Sequence, residues 1–255
     1  MKIASWNVNS LKVRLPQLLA WLDSGRPDIV CLQETKLEDR SFPRLELEAH
    51  GYRCAFAGQK TYNGVALLTR ETASEVVIGN PLRPDEQMRL LTATIQGTRV
   101  VCAYVPNGQA VGSDKYRYKL AWLDALRRWI SELLSDNPQL IVAGDFNIAP
   151  EDRDVHDPIA WAGQVLCSEA ERRAYRALLD LGLHDSFRLF AQAERSFTWW
   201  DYRMLGFQKN HGLRIDHILL SSPLAARCTA AGIEREMRKL ERPSDHAPVT
   251  AELMD

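Results

Sequence analysis

Residues 139–150 have the sequence QLIVAGDFNIAP, and the interpretation of the whole chain starts from this stretch. Residues 140–143 are apolar and partly β-branched, which is typical of a buried strand. A glycine follows, and then come Asp145 and Asn147, whose side chains point to the same side of an extended segment. Strand ends often carry functional groups, but glycine, aspartate and asparagine are also common turn residues. This stretch alone supports a functional site and a simple turn about equally.

The composition predicts a single domain spanning residues 1–255. The 255 residues are 45% hydrophobic, and the sequence contains no linker-like or low-complexity segment. We find no apolar run of signal-peptide length near the N-terminus and no stretch approaching the roughly 18 apolar residues of a membrane helix. We expect a cytoplasmic protein with reduced thiols and no zinc site, because its cysteines are scattered without a CxxC pair: Cys31, Cys54, Cys102, Cys167 and Cys228.

The net charge of −1 does not by itself indicate a nucleic-acid partner, but the charges are unevenly distributed. Residues 195–242 contain nine Lys or Arg and five Asp or Glu, which is a surplus of four positive charges. A second basic cluster consists of Lys115, Arg117, Lys119, Arg127 and Arg128. Solvated surfaces also carry such clusters, so charge alone favours an ordinary surface over a binding face.

Hydrophobic periodicity predicts many strands and a few long helices. Helices are expected over residues 15–22, 116–134 and 169–181, where apolar residues recur three and four positions apart. Strands are expected over residues 2–6, 28–32, 52–56, 65–69, 74–78, 91–95, 99–105, 140–143, 214–220 and 248–253. The runs 91–95 and 99–105 are joined through Gly97 like a hairpin, which argues against a purely parallel sheet. The pattern suggests two packed sheets with helices outside.

Polar side chains end or interrupt several of these strands. They are Asn7, Asn9, Gln33, Glu34, Tyr104, Asn107, Asp145, Asn147, Asp216, Asp245 and His246. Each of them alone has an ordinary explanation as a cap, a turn or a hydrogen-bonded core residue. Together they are harder to explain, because ionised carboxylates are rarely buried without a cation or hydrogen-bond partners. An oxygen-rich set of this kind favours Mg²⁺ or Mn²⁺ over Zn²⁺.

The motifs NVNSL, LQETK, GDFN, RIDHIL and SDHAPV, in this order, resemble the endonuclease/exonuclease/phosphatase superfamily. LQETK, FTWWDYR and GLRIDHILLS are more specific and resemble the exonuclease III type of abasic-site endonuclease. The resemblance runs from Lys2 to about Glu252. It implies an α/β fold in the form of a four-layered sandwich, with two mixed sheets packed face to face and helices outside.

The resemblance also implies roles for individual residues. Glu34 would be the main metal ligand, and the full implied ligand set is Asn7, Glu34, Asp145, Asn147 and Asp245. Asp145 would orient or deprotonate the attacking water, and His246 would hydrogen-bond the scissile phosphate. The implied catalytic set is Tyr104, Asp145, Asn147, Asp216 and His246. Asn9 is a point of variation, since some relatives carry aspartate there.

Substrate contacts are expected from Asn107, Lys119, Trp199 and Leu213. The resemblance implies that Trp199 and Leu213 line an apolar pocket for an extruded abasic sugar. Extrusion costs least where a base is missing, so such a pocket can select abasic sites. The alternative is that Phe197, Trp199 and Trp200 are core residues, and we expect this of one or two of the three.

The resemblance implies a divalent-metal-dependent DNA repair nuclease that is monomeric and binds double-stranded DNA. It would cut 5′ of abasic sites and act on 3′ ends as an exonuclease and as a phosphodiesterase or phosphatase. One alternative is a phosphatase of inositol phosphates or phospholipids, and another is a non-catalytic nucleic-acid-binding regulator. The balance among the activities depends on loops near residues 155–167 and 207–212, whose shapes the sequence does not predict.

Overall fold

The structure is a computed structural model that describes residues 1–254 and contains two six-stranded mixed sheets. From edge to edge, the first sheet contains β13 (Cys228–Ile233), β14 (Val249–Leu253), β1 (Lys2–Asn7), β2 (Ile29–Gln33), β4 (Val65–Thr69) and β3 (Arg53–Ala57). The second contains β5 (Ala73–Ile78), β6 (Leu90–Ile95), β7 (Thr98–Tyr104), β8 (Leu140–Asp145), β12 (Asp216–Ser221) and β9 (Leu183–Asp185). A separate short hairpin consists of β10 (Trp199–Trp200) and β11 (Gly212–Leu213).

Helices and short 3₁₀ segments connect the strands. The helices are α1 (Leu11–Gly25), α2 (Arg44–Ala49), α3 (Asp114–Asp136), α4 (Pro158–Trp161), α5 (Glu169–Leu179) and α6 (Ser222–Ala225). The 3₁₀ segments are Asp39–Ser41, Asp152–Asp154, Ser186–Leu189, Arg203–Leu205 and Arg235–Lys239.

Three apolar clusters define four layers. The central cluster joins the inner faces of the two sheets and includes Ile29, Leu67 and Ile141. On the outer face of the first sheet, the apolar residues of α1 pack against strand residues such as Trp6. On the outer face of the second sheet, α3 and α5 pack against β8 and β12. This arrangement confirms the predicted sandwich of two mixed sheets with helices outside.

The strand pairing brings the predicted site residues to one edge. β1 and β2 are parallel, with Asn7 opposite Gln33 at their carboxyl ends. β7 and β8 are also parallel, with Tyr104 opposite Asp145. β12 runs antiparallel to β8, so its first residue, Asp216, lies opposite Asp145. The polar strand ends therefore meet because of sheet direction and register.

The long elements lie close to their predicted positions, and the predicted hairpin around Gly97 is present between β6 and β7. The predicted 15–22 helix is too short, since α1 spans Leu11–Gly25. α3 begins two residues before the predicted start because the side chain of Ser113 caps it by accepting from the Tyr116 N–H. The strand predicted over residues 214–220 begins two residues later in the structure, at Asp216. The prediction missed the short strands β9, β10 and β11 and the edge strand β13, whose CTAAGI sequence favours strands only weakly.

Within residues 1–254, no helix has the length and apolar character needed to cross a membrane. All five cysteines are free thiols, as predicted.

Candidate active site

The ends of β1, β2 and β8 bring three predicted site residues together. The side-chain amide nitrogen of Asn7 donates to Glu34 Oε1 and to Asp145 Oδ2, both at 2.9 Å. Asn7 ends β1 and Glu34 directly follows β2 in the first sheet, whereas Asp145 ends β8 in the second. The Asn7 amide therefore connects the two sheets where their functional ends meet.

Gly144 allows β8 to end in a functional carboxylate. A Cβ on this glycine would lie only 1.8 Å from the carbonyl oxygen of Ala103 in β7, so the close approach of the parallel strands requires glycine. The chain then turns at Asn147, whose φ is 50° and whose N–H donates to Asp145 Oδ1 at 2.9 Å. Asp145 therefore closes a turn and also faces the candidate site, so the two interpretations of this stretch do not exclude each other.

His246 lies between two carboxylates. Its Nδ1 is 2.9 Å from Asp216 Oδ2, and its Nε2 is 3.8 Å from Asp145 Oδ2. Burial by itself would lower the pKa of His246, but the charges of Asp216 and Asp145 outweigh burial and raise this pKa to about 10. The imidazole is therefore a charged hydrogen-bond donor at neutral pH.

Asp145 is buried, and its pKa differs strongly from that of an exposed aspartate. Burial raises the pKa, the charge of His246 opposes this effect, and the charge of Asp216 adds to it, giving a pKa of about 7. A carboxylate with this pKa suits proton transfer near neutral pH.

The carboxylates of Glu34 and Asp145 form a group with His246 that could hold a metal ion, because one ligand atom of each lies within 4.8 Å of the others. Burial raises the pKa of Glu34, but the charge of Lys36 and the hydrogen bond from Asn7 outweigh burial and lower this pKa below its usual value. Glu34 is therefore ionised. His246 is held through its Nδ1 by Asp216, and an imidazole nitrogen is a softer ligand than the two carboxylate oxygens. Glu34 and Asp145 are therefore the two oxygen ligands that fit a hard divalent cation.

The predicted ligand Asn7 does not point its carbonyl oxygen at this group. Its NH₂ faces the carboxylates, and its Oδ1 accepts from the Asn9 N–H at 2.9 Å. Asn147 likewise directs its NH₂ to Val105 O at 3.0 Å and to Asp145 Oδ2 at 3.2 Å. Both amides hydrogen-bond to the neighbouring carboxylate in this structure, and their role as metal ligands stays a prediction.

Asp245, the third predicted carboxylate ligand, is also engaged by other side chains. Its Oδ1 accepts from Asn9 Nδ2 at 2.9 Å, and its Oδ2 accepts from Trp199 Nε1 at 3.0 Å. It lies outside the group formed by Glu34, Asp145 and His246. In this structure Asp245 fixes Trp199 and Asn9, and its role as a metal ligand stays a prediction.

Tyr104 and Asn107 lie beside the carboxylates. Burial and the charges of Glu34 and Asp145 raise the pKa of Tyr104 well above its usual value, so its hydroxyl remains a donor. The guanidinium of Arg89 lies 4.6 Å from the centre of the Tyr104 ring. Asn107 is exposed, and its Nδ2 donates to Asn147 Oδ1 at 3.1 Å. Both residues have polar groups near the candidate site, and the catalytic role of Tyr104 and the substrate contact of Asn107 stay predictions.

The other three predicted substrate contacts are placed differently. Trp199 is half-buried on β10, and Leu213, its partner on β11, is completely buried. Leu213 packs with residues such as Leu166 and therefore does not line an open pocket. Lys119 is also completely buried, so its predicted direct contact with a substrate is wrong. Phe197 and Trp200 are core residues, which agrees with the expectation for two of the three aromatic residues.

The sequence analysis missed the role of Lys36. Its Nζ lies 2.9 Å from Glu34 Oε2 and 2.5 Å from Asn9 Oδ1. A signal was available, because this lysine belongs to the same LQETK motif as Glu34. Lys36 neutralises part of the negative charge of the site.

Comparisons with known proteins find matches that extend over nearly the whole chain. The model of the Endonuclease/Exonuclease/phosphatase family matches residues 4–246. Exodeoxyribonuclease III of Haemophilus influenzae is 38% identical over 265 residues, covering 99% of each chain.

Two solved structures are similar along their full lengths. The 3′ phosphatase NExo from Neisseria, bound to a product DNA hairpin, has a TM-score of 0.98 and 46% identity, covering 100% of each chain. An AP endonuclease from Archaeoglobus fulgidus has a TM-score of 0.96 and 39% identity, again covering 100% of each chain.

Proposed function

The chain belongs to the endonuclease/exonuclease/phosphatase family, and from this membership and the site geometry we propose that it is a divalent-metal-dependent DNA repair nuclease. It hydrolyses phosphodiesters 5′ of abasic sites and at 3′ ends. The observation that carries the proposal is the convergence of Glu34, Asp145 and the Asp216–His246 pair at one edge of the two sheets.

A divalent cation, Mg²⁺ or Mn²⁺, would be held by Glu34 and Asp145. When bound, it would neutralise phosphate oxygens in the transition state. The chemistry of the ligand atoms supports Mg²⁺ or Mn²⁺, since the carboxylates of Glu34 and Asp145 are hard oxygen ligands. Among residues 1–254, the group that could hold a metal contains no cysteine. Lys36, 2.9 Å from Glu34 Oε2, adds a fixed positive charge beside the same carboxylate.

The side chains divide the proton transfers between them. Asp145 orients the attacking water and accepts its proton. His246 donates to a phosphate oxygen, while Asp216 holds its Nδ1 and keeps the ring charged. Tyr104 keeps its proton and donates to the phosphate or to the leaving oxygen.

The substrate is double-stranded DNA with abasic sites or 3′ ends. The two structural relatives are described as a 3′ phosphatase and as an AP endonuclease, and both are similar to this chain over their full lengths. This dual similarity supports both activities. We further propose that residues 1–255 form one domain that acts as a monomer, and that the free thiols reflect a cytoplasmic location.

The proposal is tested with labelled duplexes that carry an internal abasic site, a plain 3′ end or a 3′-phosphate, each with Mg²⁺ or EDTA. We expect cleavage or dephosphorylation with Mg²⁺ and a loss of activity in EDTA. Inositol phosphates and phospholipid vesicles in parallel reactions test the alternative phosphatase function. Hydrolysis of those substrates without action on any duplex would contradict the nuclease assignment.

A further inference from the structure

Lys119 is completely buried, yet its ammonium group hydrogen-bonds to the backbone of two residues of the candidate active site. Its Nζ donates to the carbonyl oxygen of Asn147 at 2.6 Å and to that of Asn107 at 3.1 Å. The third partner is Glu171, which is also completely buried. Every donor position of this ammonium is therefore used inside the protein.

The two carbonyls belong to residues whose side chains form the site. Asn107 Nδ2 donates to Asn147 Oδ1, and Asn147 in turn donates through its backbone N–H and its Nδ2 to Asp145. Asn147 has a φ of 50°, in the left-handed region, which asparagine adopts more readily than most other residue types. The bond from Lys119 to its carbonyl holds the peptide group in this orientation.

Glu171 connects the ammonium to a further loop. Its Oε1 accepts from the Leu166 N–H at 3.0 Å, and its Oε2 accepts from the Ser168 N–H at 3.1 Å. Through these hydrogen bonds, the Lys119–Glu171 pair connects the loop that contains Asn107, the loop after β8 and the start of α5. A buried ion pair of this kind often adds no net stability, since apolar residues can often replace one without lowering the free energy of unfolding.

We propose that the Lys119–Glu171 pair is a positioning device that sets the backbone of Asn107 and Asn147 and, through Asn147, the orientation of Asp145. The proposal rests on the proposed nuclease function. Neither residue contacts the substrate, and both act through the two asparagines. A misplacement of catalytic groups by about 1 Å can cost about 100-fold in rate, so this contact matters for turnover more than for DNA affinity.

The test uses the double variant Lys119→Met/Glu171→Gln, which removes both buried charges together and keeps the length of each side chain. We expect kcat on the abasic duplex to fall about 10- to 100-fold with little change in KM. In an Asn147→Ala background the same double change should add little, because the group through which the pair acts is already gone. Ile130→Ala, a buried change farther along α3, is the control for a loss of stability without loss of kcat.

The outcomes separate the two levels of the proposal. Unchanged kcat in the double variant, or the same loss of kcat with and without Asn147, would overturn the positioning role. If the double variant does not fold, the single Glu171→Gln variant is measured in its place. We then expect a fall in kcat of less than about 10- to 100-fold at unchanged KM, and an unchanged kcat would also overturn the role. No cleavage by the wild-type protein contradicts the nuclease function itself, and the positioning role with it.

Discussion

Asp145 combines burial with a pKa near neutrality, and replacing it should affect activity and stability in opposite directions. Asp145→Asn keeps the shape of the side chain and removes its basicity, so we expect cleavage to fall about 10²- to 10⁴-fold with DNA binding retained. Single-turnover rates and binding of an uncleaved duplex measure the two effects. A rate loss of less than about tenfold would mean that another group accepts the proton.

The same variant has a pH-dependent effect on the stability of the metal-free protein. The pKa of Asp145 is about 7 in the folded state, against about 3.9 in an unfolded chain, so the folded state binds more protons between these values. The free energy of unfolding of the wild type therefore falls as the pH rises from about 4 to about 7. Asp145→Asn should unfold at a higher temperature than the wild type at pH 8 in EDTA, with a much smaller difference at pH 4. An equal difference at both pH values would contradict the raised pKa.

Asp216 and His246 should act as one unit. Asp216 Oδ2 accepts from the imidazole, its Oδ1 is buried without a partner, and the nearby Arg214 pairs instead with Asp154 and Asp185. Asp216→Asn and His246→Asn should each lower the rate, and the double variant should lose little more than the worse single variant. Strictly additive losses would mean that His246 works independently of Asp216.

The types of the site residues could be predicted from the sequence, but their orientations could not. Carboxylates and amides at strand ends identify Glu34 and Asp145 whatever the details of packing. Whether Asn7 presents its oxygen or its nitrogen depends on partners from the other sheet, which no local pattern contains. The sequence likewise predicts a substrate contact for Lys119 and does not reveal its burial, because its buried partner Glu171 is 52 residues away in the sequence.

At the scale of the elements, the pairing of β7 with β8 depends on one glycine. In Gly144→Ala the new methyl group would meet Ala103 O, so we expect the strands to separate locally and stability to fall by about 1–3 kcal/mol. Cleavage should fall as well, since Asp145 is the next residue. Gly25→Ala at the end of α1 is the matched control, because its nearest contact would be an ordinary 3.5 Å. Equal stability of the two variants by chemical unfolding would contradict this account.

The long elements could be predicted because each carries its own periodicity, whereas the short ones could not. α5 is amphipathic and has a capping box formed by Ser168 and Glu171, so its position is evident from local sequence. β10 and β11 have two residues each and exist only because Trp199 and Leu213 pair across a long loop. Elements of this length are stabilised by tertiary contacts, which the sequence pattern does not reveal.

At the scale of the whole molecule, charge counts overestimated the free positive surface. Of the cations in residues 195–242, Arg214 and Arg238 are buried, and Arg214 pairs with Asp154 and Asp185, which lie outside this segment. The surplus of four positive charges is therefore partly used inside the protein. Net charge counts over a segment cannot distinguish these internal pairs from a DNA-binding face.

The candidate metal site joins the two sheets, and metal binding should therefore stabilise the whole molecule. Glu34 follows β2 and Asp145 ends β8, so a cation held by both carboxylates binds only the folded chain. The midpoint of thermal unfolding should rise with Mg²⁺ concentration, corresponding to about 2.7 kcal/mol at 100 times the dissociation constant. Glu34→Gln should abolish this rise, whereas the matched surface change Glu48→Gln should leave it intact. A Mg²⁺-dependent shift of the same size in the Glu34→Gln variant would place the metal elsewhere, and would remove the main support for assigning the catalytic cation to this pair of carboxylates.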